Sequence, residues 1–134
     1  MKSTLLFALV ALVMVPWSCQ AADQDVASLQ GTWRAIEATS NGEPPPPGML
    51  EKITLIFTGD TVSIMGAPLI RFRVDPTAKP AQIDFLNSHN QVGIYVLTGD
   101  TLKLCTGERG DRPAAFKTEK NTDHTYLLLQ RARP

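Results

Sequence analysis

Short runs in which apolar and polar residues alternate recur along this chain, and turn-forming glycine, proline, asparagine or aspartate separates them. A side-chain period of two indicates a β-strand that turns one face to a core and the other to solvent. The pattern predicts about eight strands, near residues 32–39, 52–58, 61–65, 69–74, 82–86, 91–97, 101–106 and 125–131. Because closing a sheet removes its unpaired edges, so many short antiparallel strands favour an all-β barrel.

Aromatic and branched residues mark the face of each strand that we expect to meet the core. The prominent members of this face are Phe57, Phe72, Phe85, Val92, Ile94, Val96 and, beyond the strands, Phe116. Cys105 alternates with Leu102 and Leu104, so its side chain should point to the opposite face. We expect Cys105 to be a small packing residue rather than a reactive thiol.

The connections between strands contain residues that cannot continue a strand. Residues 58–61 and 98–101 both have the sequence Thr-Gly-Asp-Thr, and glycine supplies the positive φ that a tight hairpin turn requires. Pro44–Pro47 lacks four consecutive backbone donors, so it should form an extended loop between the first two strands. Residues 107–113 carry charges of both signs and are predicted to form a solvated loop.

The N-terminus has the pattern of a cleaved signal peptide. Lys2 precedes an apolar run from Leu5 to Val15, which is shorter than the roughly 20 residues that span a bilayer. Pro16 interrupts the run, and a cut after Ala21 or Ala22 fits a small-residue cleavage site. We therefore expect a signal peptide over residues 1–22, a single domain over residues 23–134, and a periplasmic or extracellular location.

Cys19 leaves a second interpretation open. A bacterial lipoprotein signal ends in apolar and small residues followed by a cysteine that becomes lipidated, and Ser18 before Cys19 fits that box. Trp17 and Pro16 do not fit it. Attachment to a membrane is expected only if Cys19 is lipidated.

The net charge of the domain argues against two classes of partner, and its cysteine content argues against an intrachain disulfide. Lys2 is the only charged residue in the first 22, so 12 of the 13 basic residues and all 13 acidic residues remain, a net charge of −1. A domain without surplus positive charge is a poor binder of nucleic acid or of anionic lipid. After cleavage at residue 21 or 22, Cys105 is the one cysteine left, so packing rather than an intrachain disulfide must stabilise the fold.

The residues do not form a catalytic motif. The two histidines, His89 and His124, lie in polar turn-like segments, and a metal site that pairs them with Asp84 or Asp123 has no recognisable ligand spacing. Nucleophile elbows and phosphate- or dinucleotide-binding glycine loops are absent from the sequence. We therefore expect no enzymatic activity, no cofactor and no metal.

Two further groups of side chains have a structural interpretation and a functional one. Arg71 and Arg73 share a strand face and would form either an anion-binding patch or simply the solvated side of the sheet. The core phenylalanines would, in the same way, be packing residues rather than a ligand cage.

Gly31-Thr32-Trp33, at the start of the first predicted strand, resembles the Gly-x-Trp motif of lipocalin-like (calycin) barrels. In that family an arginine or lysine of the last strand packs across the tryptophan, and Arg131 stands at the matching position. The resemblance implies that Gly31, Trp33 and Arg131 close one end of an eight-stranded barrel, with a cation over an indole face.

The chain also resembles an uncharacterised secreted domain family that is abundant in planctomycetes. The stretches that carry this resemblance follow in order over the domain: 29–33, 55–60, 75–80 with 83–84, 93–95 through 99–103, and 112–113 with 116–117. The family has no established activity, so the resemblance implies a fold class and no chemistry. The Pro44–Pro47 run is denser in proline than the usual loop of the family.

Two hypotheses for function are favoured over a third, a hydrolase or metalloenzyme that uses His89 or His124. The first is a non-enzymatic binding module that holds a small apolar or amphipathic ligand at the open end of the barrel. The alternative is an envelope protein–protein interaction module with a solid barrel core, which uses the loops at 44–47 and 107–113. The sequence does not identify the residues that would bind the ligand.

Overall fold

The structure is a computed structural model, and it describes residues 17–87 and 89–133. The apolar run of the expected signal peptide lies outside the described residues. One α-helix, α1 (Trp17–Leu29), precedes eight strands, and one 3₁₀ turn, Leu50–Lys52, lies in the β1–β2 connection. The strands are β1 (Gly31–Ser40), β2 (Thr54–Thr58), β3 (Thr61–Ile64), β4 (Ile70–Asp75), β5 (Ala81–Leu86), β6 (Gln91–Thr98), β7 (Thr101–Gly107) and β8 (Thr125–Arg131).

The eight strands form a closed antiparallel barrel in which each strand pairs with the next and β8 returns to β1. The predicted all-β barrel of about eight strands is therefore confirmed. Both Gly-Asp pairs form two-residue turns, with Gly59 at φ 59° and Gly99 at φ 58°. A side chain at either glycine would be strained, which is why the same tetrapeptide makes both hairpins.

The connections between strands lie at two ends of the barrel, which we call the helix end and the loop end. At the helix end lie α1, the two Gly-Asp turns and the β4–β5 connection. At the loop end lie the longer connections, residues 41–53 between β1 and β2, 65–69 between β3 and β4, and 108–124 between β7 and β8. The proline run and the charged loop therefore both lie at the loop end.

Bulky side chains fill much of the barrel interior. Phe57 and Phe72 pack edge to face with ring centroids 5.1 Å apart, and Phe85 is buried with them. These three phenylalanines are core residues, as predicted from the alternation. Phe116 lies outside the strands, in the β7–β8 connection, and is half-buried.

The expectation for the inner face of β6 is wrong. Tyr95 is buried in the interior cluster, whereas Ile94 pairs with outward-facing Cys105 and Val96 is 41% exposed. Ile94 is nonetheless 1% exposed, because the β7–β8 connection covers this part of the outer wall. The Cys105 thiol contacts the Lys117 carbonyl oxygen of that connection at 3.6 Å. With apolar residues on both faces, alternation in β6 does not reveal which face is inside.

Sequence periodicity also missed helix α1. It covers the helix end of the barrel, where Leu29 is fully buried and Val26 packs against the core. The helix runs through the expected cleavage position after Ala21 or Ala22, so only seven of its residues lie in the predicted domain. Within residues 17–87 and 89–133, helices with the length and apolar character needed to cross a membrane are not found.

Candidate functional site

Trp33 and Arg131 lie together at the helix end. Trp33 is fully buried, and its Nε1 donates a hydrogen bond of 2.8 Å to the Leu29 carbonyl oxygen. The Arg131 guanidinium carbon lies 4.3 Å from the Trp33 ring centroid. Its two terminal nitrogens donate hydrogen bonds of 2.6 Å each to the carbonyl oxygens of Gln30 and Ser28. Arg131 therefore links β8 to β1 and to the end of α1.

Gly31 takes a backbone conformation that this corner of the barrel requires. Its φ is 113°, a conformation that residues with a side chain rarely adopt, and a Cβ there would lie 3.5 Å from the Arg131 guanidinium. The Gly-x-Trp stretch and Arg131 thus meet at one place, where their contacts join β8, β1 and the end of α1.

A groove of about 710 Å³ lies beside the helix end, between α1 and the β4–β5 connection. Its charged lining residues are Asp25, Lys79 and Arg131. The Tyr95 hydroxyl donates a hydrogen bond of 2.5 Å to Asp25, and burial together with that bond raises the pKa of Tyr95. Asp25 and Arg131 are therefore already engaged in holding α1 in place, which makes this shallow groove a weak candidate for a binding site.

A smaller cavity of about 150 Å³ lies inside the barrel at the loop end. Seven of its ten lining residues are apolar and three are polar, and none is ionisable. The apolar residues are Ile53, Leu55, Ile64, Met65, Phe85, Leu104 and Leu127, and the polar residues are Gln91, Thr106 and Thr125. A partly open apolar cavity with a few convergent polar groups has the composition of a small-molecule site.

The three polar residues, Gln91, Thr106 and Thr125, form one contiguous group, which we call the polar pole. Thr106 pairs directly with Thr125 across β7 and β8, and Gln91 Nε2 donates a hydrogen bond of 3.2 Å to Thr106 Oγ1. Thr106 is 6% exposed, so its hydroxyl group lies in the barrel interior. Sequence reasoning missed Gln91 because it lies on the face of β6, with Tyr95, that we expected to meet solvent.

The cavity adjoins a second space of about 330 Å³ beneath the proline run. The two spaces share Ile53, Thr125 and Leu127, so they meet at the mouth of the barrel. Pro44–Pro46 and Met49 form the outer wall of the second space. A ligand longer than the inner cavity would therefore extend along the proline loop.

The two histidines are not brought together as a site. His89 is an exposed turn residue, while His124 Nε2 lies 3.0 Å from Asp111 Oδ2 in the β7–β8 connection. Asp84, one suggested third ligand, is instead held by Arg112 at 2.6 Å. Among the residues that the structure describes, three or more histidine, cysteine, aspartate or glutamate side chains do not gather where they could hold a metal ion.

The strand-face arginines are engaged in ion pairs. Arg71 bonds Asp60 at 2.9 Å, and Arg73 bonds Asp84 at 3.1 Å. Each guanidinium already faces a carboxylate, so these residues form the solvated outer side of the barrel rather than an anion patch.

The structure describes the side chain of Cys105 but not that of Cys19. Cys105 is fully buried, and burial raises the pKa of its thiol, which disfavours the reactive thiolate. The expectation that its side chain points away from the interior is confirmed, because Leu104, the residue before it in β7, faces the interior and successive side chains of a strand point to opposite faces. Cys19 lies within α1, and its side chain is outside what the structure describes.

Comparison of this chain with family models, with curated proteins and with solved structures gives no match. The resemblances to lipocalin-like barrels and to the planctomycete domain family therefore stay predictions. The function has to be argued from the barrel and its cavities.

Proposed function

We propose that this protein is a non-enzymatic binding module that holds a small apolar or amphipathic ligand at the loop end of its barrel. The observation that carries the proposal is the cavity of about 150 Å³, which is lined mainly by leucine, isoleucine and phenylalanine. Apolar surface left unfilled in a core weakens the packing around it, and a ligand that fills the space recovers those contacts.

The size of the cavity limits the ligand. Eight-stranded barrels hold either side chains alone or one small ligand, and an apolar cavity of roughly 150 Å³ in another protein binds benzene or xenon. Here Phe57, Phe72 and Trp33 are buried in the interior, and Phe57 and Phe72 lie beside the Gly-Asp turn at the helix end, so the free space is confined to the loop end. The ligand is therefore either a molecule with a single ring or the end of a longer molecule whose remainder follows the proline loop.

Titration with benzene, followed by two-dimensional NMR of the backbone amides, tests this function. We expect saturable shifts concentrated at residues that line the cavity, such as Leu55, Phe85, Leu104 and Thr106, rather than at the helix end. Leu127→Phe fills the cavity and should abolish the shifts, whereas Leu128→Phe should leave them intact, because Leu128 pairs with outward-facing Glu37 and Lys103. If benzene produces no saturable shift in the unsubstituted protein, the proposed function is wrong.

A second candidate function is contact with another protein. Leu69 is 61% exposed and Leu86 is 49% exposed, and Leu86 lies opposite Arg71 on the outer face near the loop end. Leu69 immediately precedes β4, and Leu86 ends β5, which pairs with β4; contiguous exposed apolar surface is typical of interaction sites. A partner captured by the unsubstituted protein should be lost from a variant with both Leu69→Glu and Leu86→Glu, but not from the control Ile36→Glu. Equal capture by all three proteins would contradict this candidate.

The proposed location is outside the cytoplasm, as the N-terminal sequence predicts. A chain processed after Ala22 would retain Asp23–Leu29 of α1, the part that contributes Val26 and Leu29 to the core. Mass spectrometry of the protein purified from its own cells tests this location. A chain that begins at Ala22 or Asp23 supports cleavage, an acylated chain that begins at Cys19 supports the lipoprotein alternative, and an uncut chain contradicts both.

A further inference from the structure

We propose that the ligand of the loop-end cavity is a neutral molecule with one hydrogen-bonding group, such as a hydroxyl, which Gln91 and Thr106 hold at the polar pole. This inference rests on the proposed function and specifies the chemical class of its ligand. It assigns to Gln91 and Thr106 a role in specificity.

The cavity has two chemically different walls. Leu55 and Ile64 of β2 and β3 are apolar and lie across the barrel order from the polar pole of β6, β7 and β8. The remaining apolar residues Phe85, Leu104 and Leu127 adjoin the polar pole, and Phe85 pairs directly with Gln91. A molecule with an apolar body and a single polar group would match both walls in one orientation. A pure hydrocarbon would leave the polar pole without a partner.

Gln91 keeps hydrogen-bonding capacity that the protein does not use. A glutamine amide offers two donor hydrogens and two acceptor positions. Gln91 Nε2 donates to Thr106 Oγ1 at 3.2 Å, and Oε1 accepts a long bond of 3.4 Å from Asn87. One donor and one acceptor position of the amide are therefore left for a ligand or a water molecule.

Thr106 adds a second free group at the same place. Its Oγ1 accepts the bond from Gln91, so its own hydroxyl hydrogen remains able to donate. Across the strand pair, Thr125 Oγ1 lies 3.2 Å from Ser40 Oγ, which ties that hydroxyl to β1. Thr125 keeps hydrogen-bonding capacity as well, but Gln91 and Thr106 are bonded to each other and so offer donor and acceptor positions side by side on adjacent strands of the lining.

The absence of charge in the lining excludes ionised ligands. None of the ten lining residues can carry a charge, and an ion moved from water into such a site without a partner incurs a large desolvation cost. A carboxylate or an ammonium group would therefore bind only outside the cavity. The ligand group that enters is neutral.

Binding of phenol and toluene tests the inference, because the two probes have the same number of heavy atoms and differ in a hydroxyl against a methyl group. Isothermal titration should show that Gln91→Leu weakens phenol by about tenfold while toluene binds as tightly as before or more tightly. Thr106→Val removes the other partner with little change of shape and should shift the phenol-to-toluene ratio in the same direction. Gln82→Leu is the matched control, since Gln82 pairs with outward-facing Ile94, and it should leave the ratio unchanged.

The outcomes distinguish a failure of this inference from a failure of the proposed function. If neither probe binds the unsubstituted protein, both the proposed function and the inference fail. If both probes bind and neither Gln91→Leu nor Thr106→Val changes their ratio, the cavity binds ligands but the polar pole does not select them, and the inference alone is overturned. Binding of benzoate at neutral pH as tight as that of phenol would likewise overturn it.

Discussion

Replacing Arg131 with methionine should destabilise the barrel substantially, although the residue is partly solvent-exposed and lies close to the C-terminus. Methionine keeps most of the aliphatic length that packs on Trp33 and removes the guanidinium. The variant therefore separates the polar and cationic interactions of Arg131 from its packing.

The expected magnitude follows from the interactions that the guanidinium makes. Two hydrogen bonds of 2.6 Å to backbone carbonyl oxygens disappear, and hydrogen bonds to charged groups contribute about 1.5–3 kcal/mol each. The ion pair with Asp100 at 3.1 Å is lost as well, but an exposed ion pair contributes little. The side chain is 27% exposed, so water replaces part of this stabilisation and the lower end of the range applies. The cation over the Trp33 ring adds about 0.5–1 kcal/mol. Since such contributions are not fully additive, we expect a decrease of about 3 kcal/mol in the free energy of unfolding.

Urea unfolding of the chain from Asp23 onward measures this decrease. Trp33 is the one tryptophan that remains after Trp17 is removed, and its fluorescence reports directly on the helix end. With an m-value of about 2 kcal/mol per molar urea, the midpoint should fall by about 1.5 M. Far-ultraviolet circular dichroism supplies a second probe that does not depend on the environment of the indole.

Arg133→Met is the matched control. Arg133 bonds Asp100 at 3.0 Å, but its side chain is 83% exposed, and this ion pair involves neither Trp33 nor the end of α1. Its substitution should leave the free energy of unfolding nearly unchanged. If Arg131→Met and Arg133→Met lower the midpoint equally, the reasoning about closure of the helix end is refuted.

Three other predictions concern the barrel wall and its charges. Gly93→Ala should cost about 2 kcal/mol or more in urea unfolding, because the new Cβ would lie 2.6 Å from a backbone oxygen of β7; a change below about 0.5 kcal/mol would contradict this packing. In the chain from Asp23 onward, the Cys105 thiol should react with a maleimide only after denaturant is added, and rapid labelling of the native protein would show that it is not buried. Hydrogen bonds from Arg133 and Arg131 lower the pKa of Asp100 in the folded protein. The ionised carboxylate therefore stabilises the fold fully when the pH is above the unfolded-state pKa of about 3.9. This stabilisation is lost as the pH falls through the lower folded-state pKa. Asp100→Asn should therefore lower the urea midpoint slightly at neutral pH, by an amount that shrinks as pH falls through the folded-state pKa, and an effect that does not depend on pH would contradict the assignment.

Alternation and turn chemistry were sufficient to predict the barrel. In β4, Arg71 and Arg73 alternate with Phe72, and in the structure the two arginines face solvent while the phenylalanine is 4% exposed. The two Gly-Asp turns then fixed which strands form hairpins. These signals are local, so they can be detected without knowing what lies on either side of the sheet.

Features that depend on distant parts of the chain could not be predicted in the same way. The outer face of β6 is apolar because the connection between β7 and β8 folds over it, and Arg112 of that connection donates a hydrogen bond of 2.7 Å to the Gly93 carbonyl oxygen. Ile94 consequently resembles a core residue in sequence although it lies on the outer wall. A segment without regular structure has no periodicity that would reveal this packing.

The candidate site was also missed because the inner face of β6 was assigned wrongly from the sequence. Gln91 lies in register with Phe85 on the inner face, but its polar side chain supports the opposite assignment when β6 is considered alone. Helix α1 was missed for a different reason. Val26 and Leu29, three residues apart, are its contribution to the core, and one such pair is too little to distinguish a short helix from a loop.

A crystal of the chain from Asp23 onward, pressurised with xenon, tests the central claim most directly. We predict one ordered xenon atom inside the barrel at the loop end, within contact distance of Leu55, Phe85 and Leu104. A loop end in which these side chains close together and leave no space for xenon would contradict the claim that this barrel is built to hold a ligand.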